Sequence, residues 1–452
     1  MIIKNTQDLV THGKIEPRKI CIDLMETALR SVDLYKETKR LVRIKGNYLL
    51  AVEKKYDLSK FDRIFVLGAG KATFAIAKAL EEILGEKITD GVISVKKGET
   101  GFLDHIRVFE SSHPLPGENS KLAADEIFSI ARRATSNDLF ICAITGGASS
   151  LLVSPVDGIS LDEKIAVNKM LLESGAPIIA INSVRNHLSK IKGGNLAQRI
   201  FPGKILNLIA IDEIEGLPWG PTVPDRTTFN DSVHYLKRYD LWEKVPASVR
   251  SHLSSGSKGK KKDTPKESDL KKVELQNVIL ASNEKMLEAV RQRARQLKLN
   301  AVILISKLEA ESKDAGKVFG CIAAEIESRK RPVKPPCVLI AGGETTVTID
   351  HAEGTGGPSQ EFVLGAALEI SNTKNIAITS LDTDGTDGPT SAAGGIVDSL
   401  TLARAEKFEE DIVSKLASHS SYELLEKLKD QVITGVTGTN VMDLDLAVIL
   451  SS

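Results

Sequence analysis

A chain of 452 residues can hold two or three domains with real cores, and 42% hydrophobic with 27% charged residues is ordinary for a globular protein in water. Lys and Arg (60) balance Asp and Glu (60), so no global field steers the chain to nucleic acid or to an anionic membrane. No apolar run approaches bilayer length, the first residues carry no signal-peptide core, and the 4 cysteines lack metal-ligand spacing, so a cytoplasmic protein with Cys142 and Cys337 as buried thiols is expected.

Helical apolar spacing predicts a leading helix at about 16–35. Strands are predicted at 63–67, 91–95, 106–109, 139–144 and 205–211, alternating with helices at 72–84, 120–134, 160–173 and 182–199. Such alternation signals a parallel sheet covered on both faces. Residues 225–250 look less regular. The segment 254–272, with Lys258-Gly-Lys-Lys-Lys262, reads as a solvated interdomain loop, because no aromatic interleaves the lysines. The alternation resumes with strands at 278–281, 301–306 and 337–341 and helices at 283–297 and 312–329. A strand at 345–349 follows after only Gly342-Gly-Glu344, too short for a parallel crossover, so the second sheet should be mixed. Strands at 375–380, 432–434 and 446–449 complete it, and a helix is expected to start at Ser391. The predicted division is one α/β domain over 1–270 and a second over 271–452.

Ligands in open α/β sheets bind beyond the carboxyl ends of the strands, where this chain carries glycine-rich and acidic loops. Gly68-Ala-Gly70-Lys71 sets two glycines and a cation at a helix N-terminus, where orphan N–H groups attract phosphate. It does not meet the GxxxxGK[ST] loop, and Thr73 occupies the third glycine position of a dinucleotide fingerprint. Thr145-Gly146-Gly147-Ala-Ser149-Ser150 repeats the pattern with hydroxyls, although a serine-capped turn is the plainer reading. Helical spacing puts Asn182, Arg185 and Ser189 on one face, opposite a buried stripe of Val184, Leu188 and Ile191. Arg185 suits a bidentate clamp on a carboxylate or phosphate, and Lys192 a point charge before Gly193-Gly194. His187 is expected to face solvent or a neighbouring carboxylate. Carboxylates that suit a hard cation or a base end three strands: Asp212-Glu213; Glu344, followed by Thr345; and Asp382, Asp384 and Asp387. Thr437-Gly-Thr-Asn440 and Asp443 come last. Phosphoryl transfer in one cleft between two domains is the simplest chemistry for this set.

Together these loops resemble the class II glycerate kinase family, whose C-terminal part carries the MOFRL domain. The motifs that carry the resemblance are Gly68-Ala-Gly-Lys71, Ser112-His-Pro-Leu-Pro116, Gly146-Gly-Ala-Ser-Ser150, Val184-Arg-Asn-His-Leu-Ser-Lys-Ile-Lys-Gly-Gly194, Gly220-Pro-Thr-Val-Pro-Asp225, Gly342-Gly-Glu-Thr-Thr346, Asp384-Gly-Thr-Asp-Gly-Pro-Thr390 and Thr437-Gly-Thr-Asn440. The resemblance implies a Rossmann-like N-terminal domain, a smaller mixed-sheet C-terminal one, and phosphorylation of D-glycerate with ATP and Mg²⁺, at the 2-hydroxyl in many members. It further implies that Lys71 neutralises the transferring phosphoryl group, that the Gly146–Ser150 loop supplies backbone donors to phosphate or substrate oxygens, and that Arg185 holds the glycerate carboxylate, with Gly70, Asn182 and Lys192 as further candidates for binding substrate or phosphate. Asp384 and Asp387, with Glu213, would divide Mg²⁺ binding and orientation of the hydroxyl, while Glu344, Thr345 and Asn440 orient the cleft or touch nucleotide. Pro358 stands where many members have Arg. A monomer or homodimer with small-molecule partners is expected, without nucleic acid or membrane. The competing readings are a kinase giving 3-phosphoglycerate, an NAD(P)-dependent hydroxypyruvate reductase and a non-catalytic metabolite-binding regulator.

Overall fold

Apolar, β-branched runs buried on both faces build the main sheet of each unit. The computed structural model describes residues 1–98, 101–210, 220–349 and 354–451. The chain divides into a unit Leu34–Leu280 and a unit made of Met1–Asp33 with Ala281–Ser452.

In the Leu34–Leu280 unit, β1 (Val42–Lys45), β2 (Tyr48–Ala51) and β3 (Lys54–Asp57) form a small antiparallel sheet. These four-residue strands, rich in Lys and Arg, are too short to show a period, and sequence spacing does not reveal them. The main sheet contains β4 (Arg63–Ala69), β5 (Asp90–Lys96), β6 (Arg107–Ser111), β7 (Asp138–Ile144), β8 (Lys204–Ala210) and β9 (Leu275–Ala281), in the order β6-β5-β4-β7-β8-β9. β4 runs parallel to β5 and β7, β5 to β6, and β7 to β8. Every residue of β7 is buried, and Phe140 stacks on Phe65 with ring centroids 4.9 Å apart. This is the covered parallel sheet that the alternation predicts.

Three expectations need correction here. The single helix at 182–199 is two, Ile178–His187 and Asn195–Ile200, parted where Gly193 (φ +58°) and Gly194 (φ +82°) turn the chain left-handed. The irregular 225–250 stretch holds helices Phe229–Arg238 and Ala247–Ser257, the first started by a capping box between Thr228 and Asp231. The segment 254–272 is not merely solvated, since Thr264 and Leu270 are buried.

The second unit has the sheet order β10-β11-β15-β12-β13-β14, with β10 (Asn300–Leu308), β11 (Cys337–Gly343), β12 (Ile376–Asp382), β13 (Gly394–Asp398), β14 (Gln431–Val432) and β15 (Asp443–Ile449). Only β10 and β11 pair in parallel among the described ladders, so the sheet is mixed. No strand forms at 345–349, where Thr346 makes a single bridge to Glu311. The helix expected from Ser391 is instead β13, whose Gly394 passes so close to β12 that a Cβ would meet the Ser380 carbonyl at 2.0 Å.

The division of the chain also differs from the expected one. β9 completes the first sheet, which moves the boundary from 270 to 280. The leading helix, Ile15–Ser31, belongs to the second unit because Arg18 is buried there between two acids. Arg18 Nη1 donates to Asp430 Oδ1 at 2.8 Å and Nε donates to Asp398, with all three side chains fully buried. Pairing across 380 and 412 residues leaves no trace in local spacing. No helix among the described residues is long and apolar enough to cross a membrane.

Candidate active site

Strand order in the first sheet reverses between β4 and β7, and such a switch point opens a crevice beyond the strand ends. The loops that leave these two strands lie side by side there. Lys71 N–H donates to the Gly146 carbonyl at 2.8 Å, and Ala72 N–H to Thr145 Oγ1 at 3.1 Å. A Cβ on Gly70 would stand 2.0 Å from Thr145 Oγ1, so the approach needs glycine. Thr73 fills the space a third fingerprint glycine would leave, its Cγ2 lying 2.8 Å from the position of a Cβ on Gly68. Beside Gly147 lie Lys71 and the imidazole of His113, 3.0 and 3.1 Å from where a Cβ would be. His113 belongs to the Ser112-His-Pro motif, but sequence reasoning assigned it no role. Ser150 turns inward and donates to the Gly147 carbonyl at 3.2 Å, capping its own turn.

A cavity in the same unit is lined by Ser149, Asn182, Asn186, Lys192, Val223 and Arg226 among others. Asn182 and Asn186 sit one turn apart on the helix Ile178–His187. The Lys192 amine, 7% exposed, donates to Ser149 Oγ at 2.8 Å. Burial, followed by the charges of Lys164 and Arg185, pushes its pKa well below the ordinary lysine range. Fully buried Lys164 donates to the carbonyls of Arg185 (3.1 Å) and Leu188 (3.0 Å), and burial, aided by Arg185, lowers it to about 7. Arg185 is not a lining residue; burial lowers it to about 10, and its Nε has no hydrogen-bond partner among the described residues. None of the three cations meets a carboxylate among the described residues.

The described acid that lines the cavity, Asp225, is engaged by its own loop and by the 254–272 segment. Its Oδ1 accepts from Thr227 N–H (2.9 Å) and Oγ1 (2.8 Å), and its Oδ2 from Thr264 Oγ1 (3.1 Å). His187 is buried against a carboxylate, with Nε2 2.7 Å from Asp263 Oδ1. The Lys-rich segment thus supplies Asp263 and Thr264 to brace the loop at the cavity. A partly open pocket lined by Lys192, Arg226, amide and hydroxyl groups, with its one described lining acid already hydrogen-bonded, suits a small anion.

The second unit gathers negative charge instead. β15 lies antiparallel between β11 and β12, so its first residue meets the carboxyl ends of both, with Asp443 opposite Gly343 on one side and Asp382 on the other. Burial raises the Asp443 pKa well above the carboxylate range, reinforced by Asp382, Asp445, Asp387 and Glu344. Burial lifts Asp445 to about 7 against a hydrogen bond from Ser380. Asp384 Oδ1 accepts from Thr386 N–H (3.0 Å) and Oγ1 (2.8 Å), and Asp384 N–H donates to Asp382 Oδ1 (3.0 Å). Asp387 has a different task, accepting from Ser359 N–H (3.1 Å), Gln360 N–H (2.9 Å) and Gln360 Nε2 (2.9 Å) as the cap of helix Pro358–Ile370. Its pKa is pushed to about 6, chiefly by burial.

Sequence reasoning thus missed the pairing of Asp382 with Asp443, which depends on strand order; Asp443 marking a strand start was the available signal. Glu344 is exposed beside this cluster. Thr345 and Asn440 brace loops, Thr345 Oγ1 accepting from Ser312 Oγ at 2.9 Å and Asn440 Oδ1 from Met442 N–H at 3.4 Å. Among the described residues no three His, Cys, Asp or Glu side chains form a ready metal cage. Glu213 lies outside the described residues.

Residues 20–254 match a family described as a domain of unknown function, DUF4147, and residues 337–443 match the MOFRL family. A protein named glycerate 2-kinase from Pyrococcus horikoshii is 42% identical over 437 residues, covering 96% of this chain and 98% of the relative. A putative hydroxypyruvate reductase from Agrobacterium vitis is 39% identical over 389 residues, covering 84% and 98%. The crystal structure of a glycerate kinase from Thermotoga maritima matches with a TM-score of 0.81 at 33% identity, over 96% of this chain and 99% of that one.

Proposed function

Because the chain belongs to the class II glycerate kinase family with a C-terminal MOFRL domain, we propose that it transfers the terminal phosphoryl group of ATP to the 2-hydroxyl of D-glycerate in a Mg²⁺-dependent reaction. The observation that carries the reading is the buried Lys192 amine, held on Ser149 in a cavity whose one described lining carboxylate, Asp225, bonds Thr227 and Thr264 and not this amine. An acid entering there supplies the missing countercharge and restores the proton that burial disfavours. Asn182 and Asn186 then orient its hydroxyls, and Arg185 adds positive field from beyond the lining. Lys71, beside Gly147, neutralises the phosphoryl group in transfer, and the N–H groups of the 146–150 turn other than those of Ala148 and Ser150, which the turn itself uses, meet its oxygens.

In the second unit, the buried Asp443 carboxyl is crowded by Asp382 and its acidic neighbours, a repulsion that a hard cation arriving with the nucleotide phosphates would relieve, although these side chains do not by themselves form a complete ligand set. A bound Mg²⁺ supplies charge neutralisation for the nucleotide phosphates. Asp387 positions the loop through its helix cap rather than acting on substrate.

Incubation with ATP, Mg²⁺ and D-glycerate, followed by phosphorus NMR, tests the reading: a 2-phosphoglycerate resonance supports it, and a 3-phosphoglycerate resonance overturns the assigned position. The name of the Agrobacterium relative favours a second reading, hydroxypyruvate reduction. Oxidation of NADH by hydroxypyruvate without ATP would establish that reading instead.

A further inference from the structure

Arg226 lines the same cavity as Lys192, yet it is exposed and so stands at the rim while Lys192, 7% exposed, lies inside. Its guanidinium meets no hydrogen-bonding or ionic partner among the described residues. The backbone beneath it is nevertheless held on both sides. Asp225 N–H donates to the Pro265 carbonyl at 2.9 Å, and Asp225 Oδ1 reaches over Arg226 to Thr227 N–H at 2.9 Å. Asp225, the one lining acid among the described residues, turns both carboxylate oxygens to Thr227 and Thr264 rather than to Arg226. A fixed base carrying an unpaired planar cation is how proteins present Arg to carboxylate or phosphate oxygens.

Resting on the kinase reading, we propose that Arg226 is a specificity residue for the phosphorylated acid, forming with Lys192 a two-point anion site. The carboxylate goes to Lys192, inside, because a monoanion loses less hydration on enclosure than a phosphoryl dianion. The phosphoryl group goes to Arg226 at the rim, where it keeps part of its water and gains a bidentate partner. The unphosphorylated acid, with one charged pole, uses Lys192 fully and Arg226 weakly. Arg226 therefore separates product from substrate.

Isothermal titration calorimetry of the full chain tests this with 2-phosphoglycerate, D-glycerate and inorganic phosphate, on wild type, Arg226→Ala and Arg226→Lys. Loss of a charge-assisted bidentate contact should weaken 2-phosphoglycerate binding by about tenfold or more, with a clearly smaller loss for D-glycerate. Arg226→Lys should recover part of the loss. Equal losses for both acids, no loss, or no binding of 2-phosphoglycerate to wild type each overturn the assignment. A merely structural role would move both acids and the melting temperature together. Arg226-dependent binding of 2-phosphoglycerate without turnover from ATP would sink the kinase reading alone. Turnover with Arg226-independent product binding would sink this inference alone.

Discussion

The Lys192 amine donates to Ser149 Oγ at 2.8 Å, which ties the turn after β7 to the loop that breaks the 178–200 helical region. One hydrogen bond thus joins the glycine-rich turn to the cavity proposed to take the acid. Lys192→Met should raise KM for D-glycerate by about tenfold to a hundredfold, the scale of a lost charged hydrogen bond. Steady-state kinetics with varied D-glycerate checks it, and an unchanged KM would remove Lys192 from the acid site.

On the proposed role, Lys71 acts on charge that develops during transfer, so its loss should fall on kcat rather than on folding. Lys71→Ala should lower kcat by about three decades while the thermal melt stays cooperative. Near-normal turnover in that variant refutes the role given to this side chain.

Asp384 and Asp387 lie three residues apart but should fail differently. Asp387→Ala removes a buried cap and should cost about 1–3 kcal/mol in urea denaturation. Asp384→Asn keeps the local turn and should leave stability within about 0.5 kcal/mol, yet abolish most turnover. Equal stability losses in the two variants would contradict this separation.

Lys164 predicts how stability depends on pH. Its pKa is about 7 in the folded chain, from burial and then Arg185, against an ordinary 10.5. Between those values the unfolded chain binds the proton more readily, so stability should rise as pH rises through this window. Below about pH 7 both states are protonated and the penalty is fully present. Lys192 shifts in the same direction. Melting temperatures from pH 7 to 10 should climb in wild type and climb less in Lys164→Met; identical slopes would show that Lys164 does not titrate there.

The Arg18 pairing should hold the leading helix to its unit. Arg18→Met strands Asp398 as a buried charge without an ion-pair partner among the described residues, while Asp430 keeps Arg404 and His12, at a cost of about 3–5 kcal/mol. Chemical denaturation measures it, and a cost below about 1 kcal/mol would mean that Asp398 finds another partner.

Much of the molecule was readable from local pattern. Fully buried strands such as Asp138–Ile144 announce themselves by continuous apolar runs, and helices such as Leu161–Glu173 by period and a Ser160–Glu163 capping box. Gly70 and Gly147 were legible because their conformations or contacts exclude other residues. Arg185 was legible as a cation on the helix that lines the cavity but not as one outside the lining, since helical spacing gives a face and not what the face meets. Asp387 looked like a ligand because a carboxylate's neighbours across 27 residues are invisible in sequence.

The amino-acid order alone determined the alternating elements, the glycine turns and the kinds of charge each loop carries, because propensity, period and capping act within a few residues. Tertiary structure decided which loops become neighbours, that Lys192 and Arg226 share a cavity, that Asp443 stands against Asp382, and that the first 33 residues join the second unit. Those outcomes depend on strand order and on the desolvation of charges against partners hundreds of residues away, and no local window contains either.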